Sequence, residues 1–214
     1  WMQGSVDYRG RTKYDATTAR AYKDRPRRQQ AAEMALINRV FKLVPSSHKV
    51  LDLPCGAGRV SLHLAEQGYQ VTAADYSDSM LEITRAFLQE SGHPGEVDKQ
   101  DIEALSYSNG QFDTIICFRL FHHFPNPKIR RKAVSELCRV SARYVPLSYF
   151  SPFSVTSVKR RLRAGMGGRA SEKYATPLAE VESYFQSQGF ALVRDFARIP
   201  LLHTLHVALF ERIR

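Results

Sequence analysis

The segment from Val50 to Gly58, which reads V-L-D-L-P-C-G-A-G, constrains the fold of this chain more than any other. Its apolar beginning, residues 50–53, predicts a short buried strand, and Gly56 and Gly58 follow at once. Glycines at this place let the backbone approach a ligand closely, and the helix that begins near Val60 offers its unpaired N–H groups to that ligand. The segment therefore predicts a strand, a ligand-binding turn and a helix in direct succession.

Apolar residues elsewhere alternate between helical and strand spacing. Helices are predicted over residues 29–44, 60–68, 77–89, 128–140 and 177–188, with Ser77 as the N-cap of the third. Strands are predicted over residues 50–53, 69–74, 112–118, 144–149, 191–199 and 203–211, the last two as a hairpin. This order predicts an α/β domain with a doubly wound, mostly parallel sheet.

The chain has 214 residues without a repeat or a linker, which predicts a single domain with residues 1–49 as a basic helical lid. A domain of this size buries roughly two thirds of its unfolded surface, so it needs no disulfide or metal staple. Its cysteines, Cys55, Cys117 and Cys138, show neither disulfide nor zinc spacing, and no membrane span or signal peptide is found. We expect a cytoplasmic protein with no metal site, and residues 1–5 to be a remnant of expression or cleavage.

Charge is divided into three blocks along the chain. Residues 1–49 hold 11 basic and 4 acidic side chains, residues 50–126 hold 4 and 11, and residues 127–214 hold 16 and 6. The formal net charge of +10 therefore comes from two basic blocks around an acidic one. Proteins that bind nucleic acid or a membrane surface have this pattern, and so do enzymes with a cationic cofactor and an anionic substrate.

An acidic residue, Asp75, ends the second predicted strand, where a nucleotide-like ligand places its ribose hydroxyls. Three classes of ligand compete for the glycine turn. A dinucleotide motif requires Gly where Ser61 stands, and a phosphate-binding loop requires Gly-Lys-Ser/Thr where Arg59 and Val60 follow. Asp52, a carboxylate at the end of the first strand, suits a cofactor that carries positive charge.

Four segments together resemble the class I S-adenosylmethionine (SAM)-dependent methyltransferases: V-L-D-L-P-C-G-A-G-R, V-T-A-A-D-Y-S-D-S-M-L, Q-D-I and F-D-T-I-I-C-F-R-L-F-H-H-F. The resemblance is close over residues 50–124 and rests elsewhere on the order of the elements. It implies a seven-stranded sheet with an antiparallel last strand, SAM as cofactor and S-adenosylhomocysteine (SAH) as product. Residues 50–214 would form the SAM-binding domain, although Pro54 stands where many members carry Gly.

Carried over by position, the resemblance implies a set of cofactor contacts. The methionine part would be held by the end of the first strand and by the turn. The ribose would be held by the residue that ends the second strand, and the adenine by residues after that strand and in the Q-D-I segment. The implied contacts are Tyr22 from the lid, Asp52, Leu53, Pro54, Cys55, Gly56, Gly58, Asp75, Tyr76, Met80, Asp101 and Ile102, with Arg119 and Leu120 beside the sulfonium.

Several of these residues have an ordinary structural alternative. Asp75 would then be a helix-capping acid, Met80 a core residue and Asp101 an acid of a surface turn. Cys55 is best explained as a small side chain that fills a tight turn.

The residues after the strand predicted over 112–118, which would be the fourth strand of the family's seven, read R-L-F-H-H-F. In this family they border the methyl group. They lack the Asn/Asp-Pro-Pro-aromatic sequence of nucleobase amine methyltransferases, and Cys117 lacks the preceding Pro of pyrimidine C5 enzymes. His122 or His123 is predicted to act as the catalytic base that takes a proton from the acceptor near neutral pH. The alternative is that both histidines only shape the start of a helix.

Two basic segments border the expected acceptor pocket. The first resembles the lid helix of small-molecule members, and the second, within residues 151–173, predicts a basic flap for phosphate or carboxylate. The predicted acceptor contacts are Tyr14, Tyr149, Arg160, Arg161, Arg163 and Tyr174. A solvated, cationic surface without a ligand is the alternative.

Three functions remain open on this basis. The first is an O-methyltransferase that acts on a small or lipid-linked, anionic acceptor. The second is a tRNA or rRNA methyltransferase, which the basic segments favour but the residues after the fourth strand do not. The third is a regulatory protein that binds SAM without turnover.

Overall fold

The computed structural model describes residues 27–154, 173–197 and 204–213 of the chain. The helices in these ranges are α1 (Arg27–Phe41), α2 (Arg59–Ala65), α3 (Asp78–Glu90), α4 (Pro127–Val140) and α5 (Leu178–Gln186), with a 3-10 helix over Phe121–His123. The strands are β1 (Lys49–Asp52), β2 (Gln70–Asp75), β3 (Glu96–Lys99), β4 (Phe112–Ile116), β5 (Ser141–Phe150), β6 (Phe190–Ala197) and β7 (Leu205–Arg212).

The seven strands form one sheet in the order β3-β2-β1-β4-β5-β7-β6. All strand pairs from β3 to β5 are parallel, and β7 lies antiparallel between β5 and β6. The predicted doubly wound sheet with an antiparallel last strand, closed by a hairpin, is therefore confirmed. The strand order reverses between β1 and β4, and a crevice opens at such a point outside the carboxyl ends of the strands.

Helices cover both faces of the sheet. On one face α1 and α2 pack through residues such as Ile37, Val40 and Leu64, each at most 1% exposed. On the other face α4 and α5 pack through Leu137 and Phe185, which are fully buried. Because both faces are covered, the central strands are apolar on both sides rather than alternating.

Several elements differ from the sequence prediction in their bounds, and one was not predicted. Helix α1 ends at Phe41 rather than residue 44: Leu43 and Val44 donate to Val40 and Phe41 in tighter turns, and Pro45 disfavours the helical conformation at Val44. Helix α2 ends at Ala65 rather than residue 68, and β5 begins at Ser141 rather than residue 144. Strand β3 was not predicted, because E-V-D-K contains a single apolar residue, Val97, and pairs only at the edge of the sheet.

Residues 1–26 and 155–172, which contain the predicted lid and most of the basic flap, lie outside the described residues, and the division of the chain at residue 49 stays a prediction. Within the described ranges, no helix is both long and apolar enough to cross a membrane. Cys55, Cys117 and Cys138 are buried thiols.

The packing of α1 gives a first prediction. Leu36 belongs to α1 and is 2% exposed in the core, whereas Leu43, just beyond the helix, is 41% exposed. Leu36→Ala should lower the free energy of unfolding by about 2–5 kcal/mol, because it leaves a cavity in a packed interior. Leu43→Ala, the matched control, should change it by less than about 0.5 kcal/mol in urea titrations. Equal losses for the two variants would show that α1 does not belong to the core.

Candidate functional site

An open cleft lies at the carboxyl ends of β1, β2 and β4, where the strand order reverses. Ten of the predicted cofactor residues line it: Leu53, Pro54, Cys55, Gly56, Asp75, Tyr76, Asp101, Ile102, Arg119 and Leu120. Segments that are distant in sequence thus meet at one edge of the sheet.

The glycine turn between β1 and α2 forms the floor of the cleft. Gly56 and Gly58 have φ values of 54° and 78°, a left-handed conformation that side chains rarely adopt. A Cβ atom on Gly58 would lie 3.0 Å from Cγ2 of Thr84, whose hydroxyl donates to the carbonyl of Gly56 at 2.7 Å. Both conformation and space therefore require glycine at position 58, which shapes the turn from below rather than lining the cleft.

Asp75 is held by backbone N–H groups at the end of β2. Its Oδ2 accepts from Gly56 and its Oδ1 from Ser77, at 2.9 and 3.0 Å. Burial raises the pKa of Asp75, and these backbone hydrogen bonds oppose the shift. A carboxylate has about four lone-pair sites, so Asp75 can accept further donors from a ligand in the cleft.

Asp52 lies at the end of β1, fully buried below the turn. Its Oδ2 accepts the hydroxyl proton of Ser61 at 2.6 Å, while its Oδ1 has no hydrogen-bond partner. Burial, aided by the nearby charge of Asp75, raises the pKa of Asp52 to about 7. A buried carboxylate with an unused oxygen is a site that a positively charged ligand group would satisfy.

The far end of the cleft is formed by the residues after β2 and β3. Tyr76 is 43% exposed and lines the cleft. Asp101 accepts the backbone N–H of Glu103, and Ile102 is buried beside it. Met80 is not brought to the cleft: it is fully buried on the inner face of α3, and the structure gives it the core role that was the alternative.

The segment after β4 begins in an unusual conformation. Arg119 has a φ of 66°, and its backbone N–H donates to the hydroxyl of the buried Ser148 on β5. Leu120 follows and leads into the 3-10 helix. Arg119 and Leu120 lie at the end of the cleft nearest β4 and β5.

The two histidines are buried and do not line the cleft. His122 stacks on Phe150 with ring centroids 4.0 Å apart, and His123 lies 4.3 Å from His122. Their exposed fractions are 1% and 4%. The carbonyl of His122 accepts the backbone N–H of Tyr174, so the segment before α5 packs on this 3-10 helix. These contacts support the alternative that the two histidines shape the local helix. That one of them acts as a catalytic base stays a prediction.

The predicted acceptor contacts are dispersed. Tyr149 is 1% exposed on β5, and its hydroxyl donates to Asp195, which also binds His206. Tyr149 is therefore a buried residue of the sheet rather than a pocket wall. Tyr174 is 41% exposed beside the 3-10 helix. Tyr14, Tyr22, Arg160, Arg161 and Arg163 lie outside the described residues.

Six residues of the cleft were missed by the sequence analysis. Four of them adjoin predicted residues, so extending each motif by one or two positions would have found them: Arg59, Val60, Gln100 and Phe118. Glu33 and Met34 come from α1, and no motif marks them. Only the packing of α1 on the sheet brings them to the cleft.

The chain is similar in sequence to known methyltransferases over the segment that contains most of the cleft residues. Residues 50–143 match the family described as methyltransferase domain. The ubiquinone biosynthesis O-methyltransferase of Nitrosospira multiformis is 35% identical over 91 residues, 42% of this chain and 38% of that protein. The protein of the same name from Xylella fastidiosa is 31% identical over 141 residues, 65% of this chain and 54% of that protein. The chain spans about half or less of the length of these relatives.

Among solved structures, the chain resembles magnesium protoporphyrin IX methyltransferase from Synechocystis PCC 6803, determined with bound SAH. The TM-score is 0.76 at 22% identity, and the match covers 96% of this chain and 97% of that chain. The fold is that of the class I SAM-dependent methyltransferases, as the sequence resemblance predicted. The match to the methyltransferase domain family covers residues 50–143, less than half of the chain.

The raised pKa of Asp52 predicts a pH-dependent stability. Because the carboxyl group titrates near 7 in the folded protein and near 4 when unfolded, the folded protein binds more protons between these values. The free energy of unfolding of the wild type should therefore fall as pH rises from 4 to 8. Asp52→Asn has no carboxyl group to titrate at this position. The difference in free energy of unfolding, variant minus wild type, should therefore rise by roughly 3–4 kcal/mol between pH 4 and pH 8. Parallel pH profiles in urea titrations would contradict the raised pKa.

Proposed function

We propose that this chain transfers the methyl group of SAM to a hydroxyl group of a small or lipid-linked, anionic acceptor. The observation that carries the proposal is the buried carboxylate of Asp52, with its Oδ1 unused below the glycine turn. SAM carries positive charge on both its ammonium and its sulfonium groups, which is what a buried anion requires. The name that the curated relatives share, ubiquinone biosynthesis O-methyltransferase, supports an oxygen atom as acceptor.

The other cleft residues suit the remaining parts of SAM. Asp75 is held by two backbone N–H groups and keeps acceptor capacity for two ribose hydroxyls. The exposed ring of Tyr76 and the apolar side chain of Ile102 would lie on the adenine, and Asp101 would accept from its amino group. Gly56 lets the backbone come close to the methionine part, and Gly58 fixes the conformation of the turn.

A dinucleotide cofactor fits this turn less well. The third glycine of that motif is replaced by Ser61, which is 1% exposed and whose hydroxyl donates to Asp52. This hydrogen bond holds the Asp52 carboxylate directly below the turn that forms the floor of the cleft. An anionic pyrophosphate would be repelled there, whereas a cationic cofactor would be attracted.

SAM supplies an electrophilic methyl group when it is bound. The chain then has to hold the acceptor oxygen in line with that methyl group, exclude water and take the proton of a hydroxyl acceptor. Arg119 and Leu120 border the space where the acceptor would approach. His122 and His123, which follow Phe121, remain the candidates for the base. Both are buried, so a proton taken from the acceptor must be passed on to solvent through neighbouring groups.

Negative charge on the acceptor is supported by the sequence between β5 and α5. Residues 159–169 contain five basic side chains and three glycines. Glycines permit such a segment to close over a ligand, and arginines pair with carboxylate or phosphate groups. This part of the proposal rests on the sequence alone.

The assignment of Asp75 to the ribose can be tested by calorimetry. Asp75→Ala should weaken the binding of SAM and of SAH alike, by roughly 1.5–3 kcal/mol, because it removes charge-assisted hydrogen bonds to the ribose. Asp78→Ala is the matched control, since the Asp78 side chain is 70% exposed and pairs with Lys99 outside the cleft. Wild-type affinity in Asp75→Ala would remove Asp75 from the cofactor site.

The role of the histidines can be tested with labelled SAM and an acceptor chosen from hydroxylated aromatic carboxylates. If one of them is the base, His122→Gln or His123→Gln should lower kcat by about 10²–10⁴-fold and leave SAM affinity unchanged. The wild-type rate should rise with pH as the imidazole loses its proton. His93→Gln, in the turn after α3, serves as the control. Near-normal turnover in both variants would mean that the histidines only support the 3-10 helix.

A further inference from the structure

Two opposite charges meet on the wall of the cleft nearest α1. Nη1 of Arg119 donates to Oε1 of Glu33 at 2.7 Å. The Glu33 side chain is 1% exposed and that of Arg119 is 16% exposed, and both residues line the cleft. The pair joins residues that are 86 positions apart in the chain, so it is a feature of the tertiary structure.

The Arg119 guanidinium keeps most of its donors unused. It has five N–H groups in a planar fork that matches a carboxylate. Of these, only one on Nη1 is donated, to Glu33, and in the described part of the chain nothing accepts from Nε or Nη2. Glu33 therefore fixes the orientation of the fork and leaves an edge of it for a ligand in the cleft.

The backbone of Arg119 is also held in a costly conformation. Its φ of 66° lies in the left-handed region, where a residue other than glycine is strained. The hydrogen bond to the Ser148 hydroxyl maintains it. Glycine would adopt this conformation without strain, so the arginine side chain at this position is best explained by what its guanidinium does in the cleft.

We propose that Arg119 binds the α-carboxylate of the methionine part of SAM, and that Glu33 is the positioning residue that orients it. The inference rests on SAM as the cofactor of the proposed function. The methionine part is zwitterionic: the unused oxygen of Asp52 suits its ammonium group, and its carboxylate then requires a cation. The pairing with Glu33 also keeps the guanidinium from repelling the sulfonium.

The cleft has a second arginine, which provides the comparison. Arg59 begins α2 and lines both the cleft and a separate depression on the outer side of that helix, beside Glu66 and Phe87. Arg119 lines the cleft but does not line the depression on the outer side of α2. Arg119 also follows β4, which pairs with β1 up to Asp52, so the two charged groups leave neighbouring strands at the same edge.

The test compares SAM with decarboxylated SAM, which keeps the ammonium and sulfonium groups and lacks the carboxylate. Calorimetry should show that the wild type prefers SAM by roughly 10- to 100-fold, the range expected for charge-assisted hydrogen bonds. Arg119→Gln should reduce this preference to about 1–3-fold. Because that variant removes only one charge of the Glu33–Arg119 pair, the double variant Glu33→Gln/Arg119→Gln, which removes both, is measured beside it and should show the same loss of preference.

Two further variants separate a ligand contact from a structural role. Glu33→Gln alone should give an intermediate preference, since the guanidinium remains but is no longer oriented. Arg143→Gln, whose side chain pairs with Glu211 outside the cleft, should keep the wild-type preference. The proposal is overturned if the double variant retains the wild-type preference, or if Arg59→Gln, the variant of the other cleft arginine, abolishes it. If the wild type binds neither ligand, the cofactor assignment fails as well, and that result is distinct from equal binding of both ligands.

Discussion

The burial of the Asp52 carboxylate below the glycine turn is the constraint on which the rest of the site depends. A carboxylate without water needs donors or a cation nearby, and the hydroxyl of Ser61 donates to Oδ2 and not to Oδ1. A second carboxylate, Asp75, lies close enough to raise the pKa of Asp52 further. Two acidic side chains therefore lie beside the turn, and a cationic ligand in the cleft would offset the electrostatic cost of burying them.

The order of the strands decides what faces this negative floor. Because β1 lies between β2 and β4, the residues that follow these strands meet over the turn although the chain separates them widely. Arg119 leaves the end of β4 on one side, and α1 places Glu33 against it. Asp75 and the oriented guanidinium of Arg119 line the cleft, and the buried Asp52 lies below its glycine turn. This charge pattern is complementary to the zwitterionic, sulfonium-bearing cofactor proposed above.

The histidine segment is held from behind by a second network. Arg130 on α4 donates to the carbonyl of Phe124 and to Glu180 on α5, and Tyr184 also donates to Glu180. These contacts join the 3-10 helix to both helices of one face. The segment after β4 is therefore positioned by the core, and the stacking of His122 on Phe150 belongs to the same packing.

The sequence by itself determined the elements whose physics is local. The glycine turn, the acids at the ends of β1 and β2, and the alternation of apolar strands with amphipathic helices follow from backbone conformation and hydrophobic periodicity, so the fold and most of the cleft were predictable. Strand β3 was not, because an edge strand with one apolar residue carries almost no periodic signal. The tertiary structure alone decided that Met80 turns into the core, that both histidines are buried, and that Glu33 reaches Arg119. These outcomes depend on how helices dock against the sheet, and docking is set by long-range packing that no local pattern encodes.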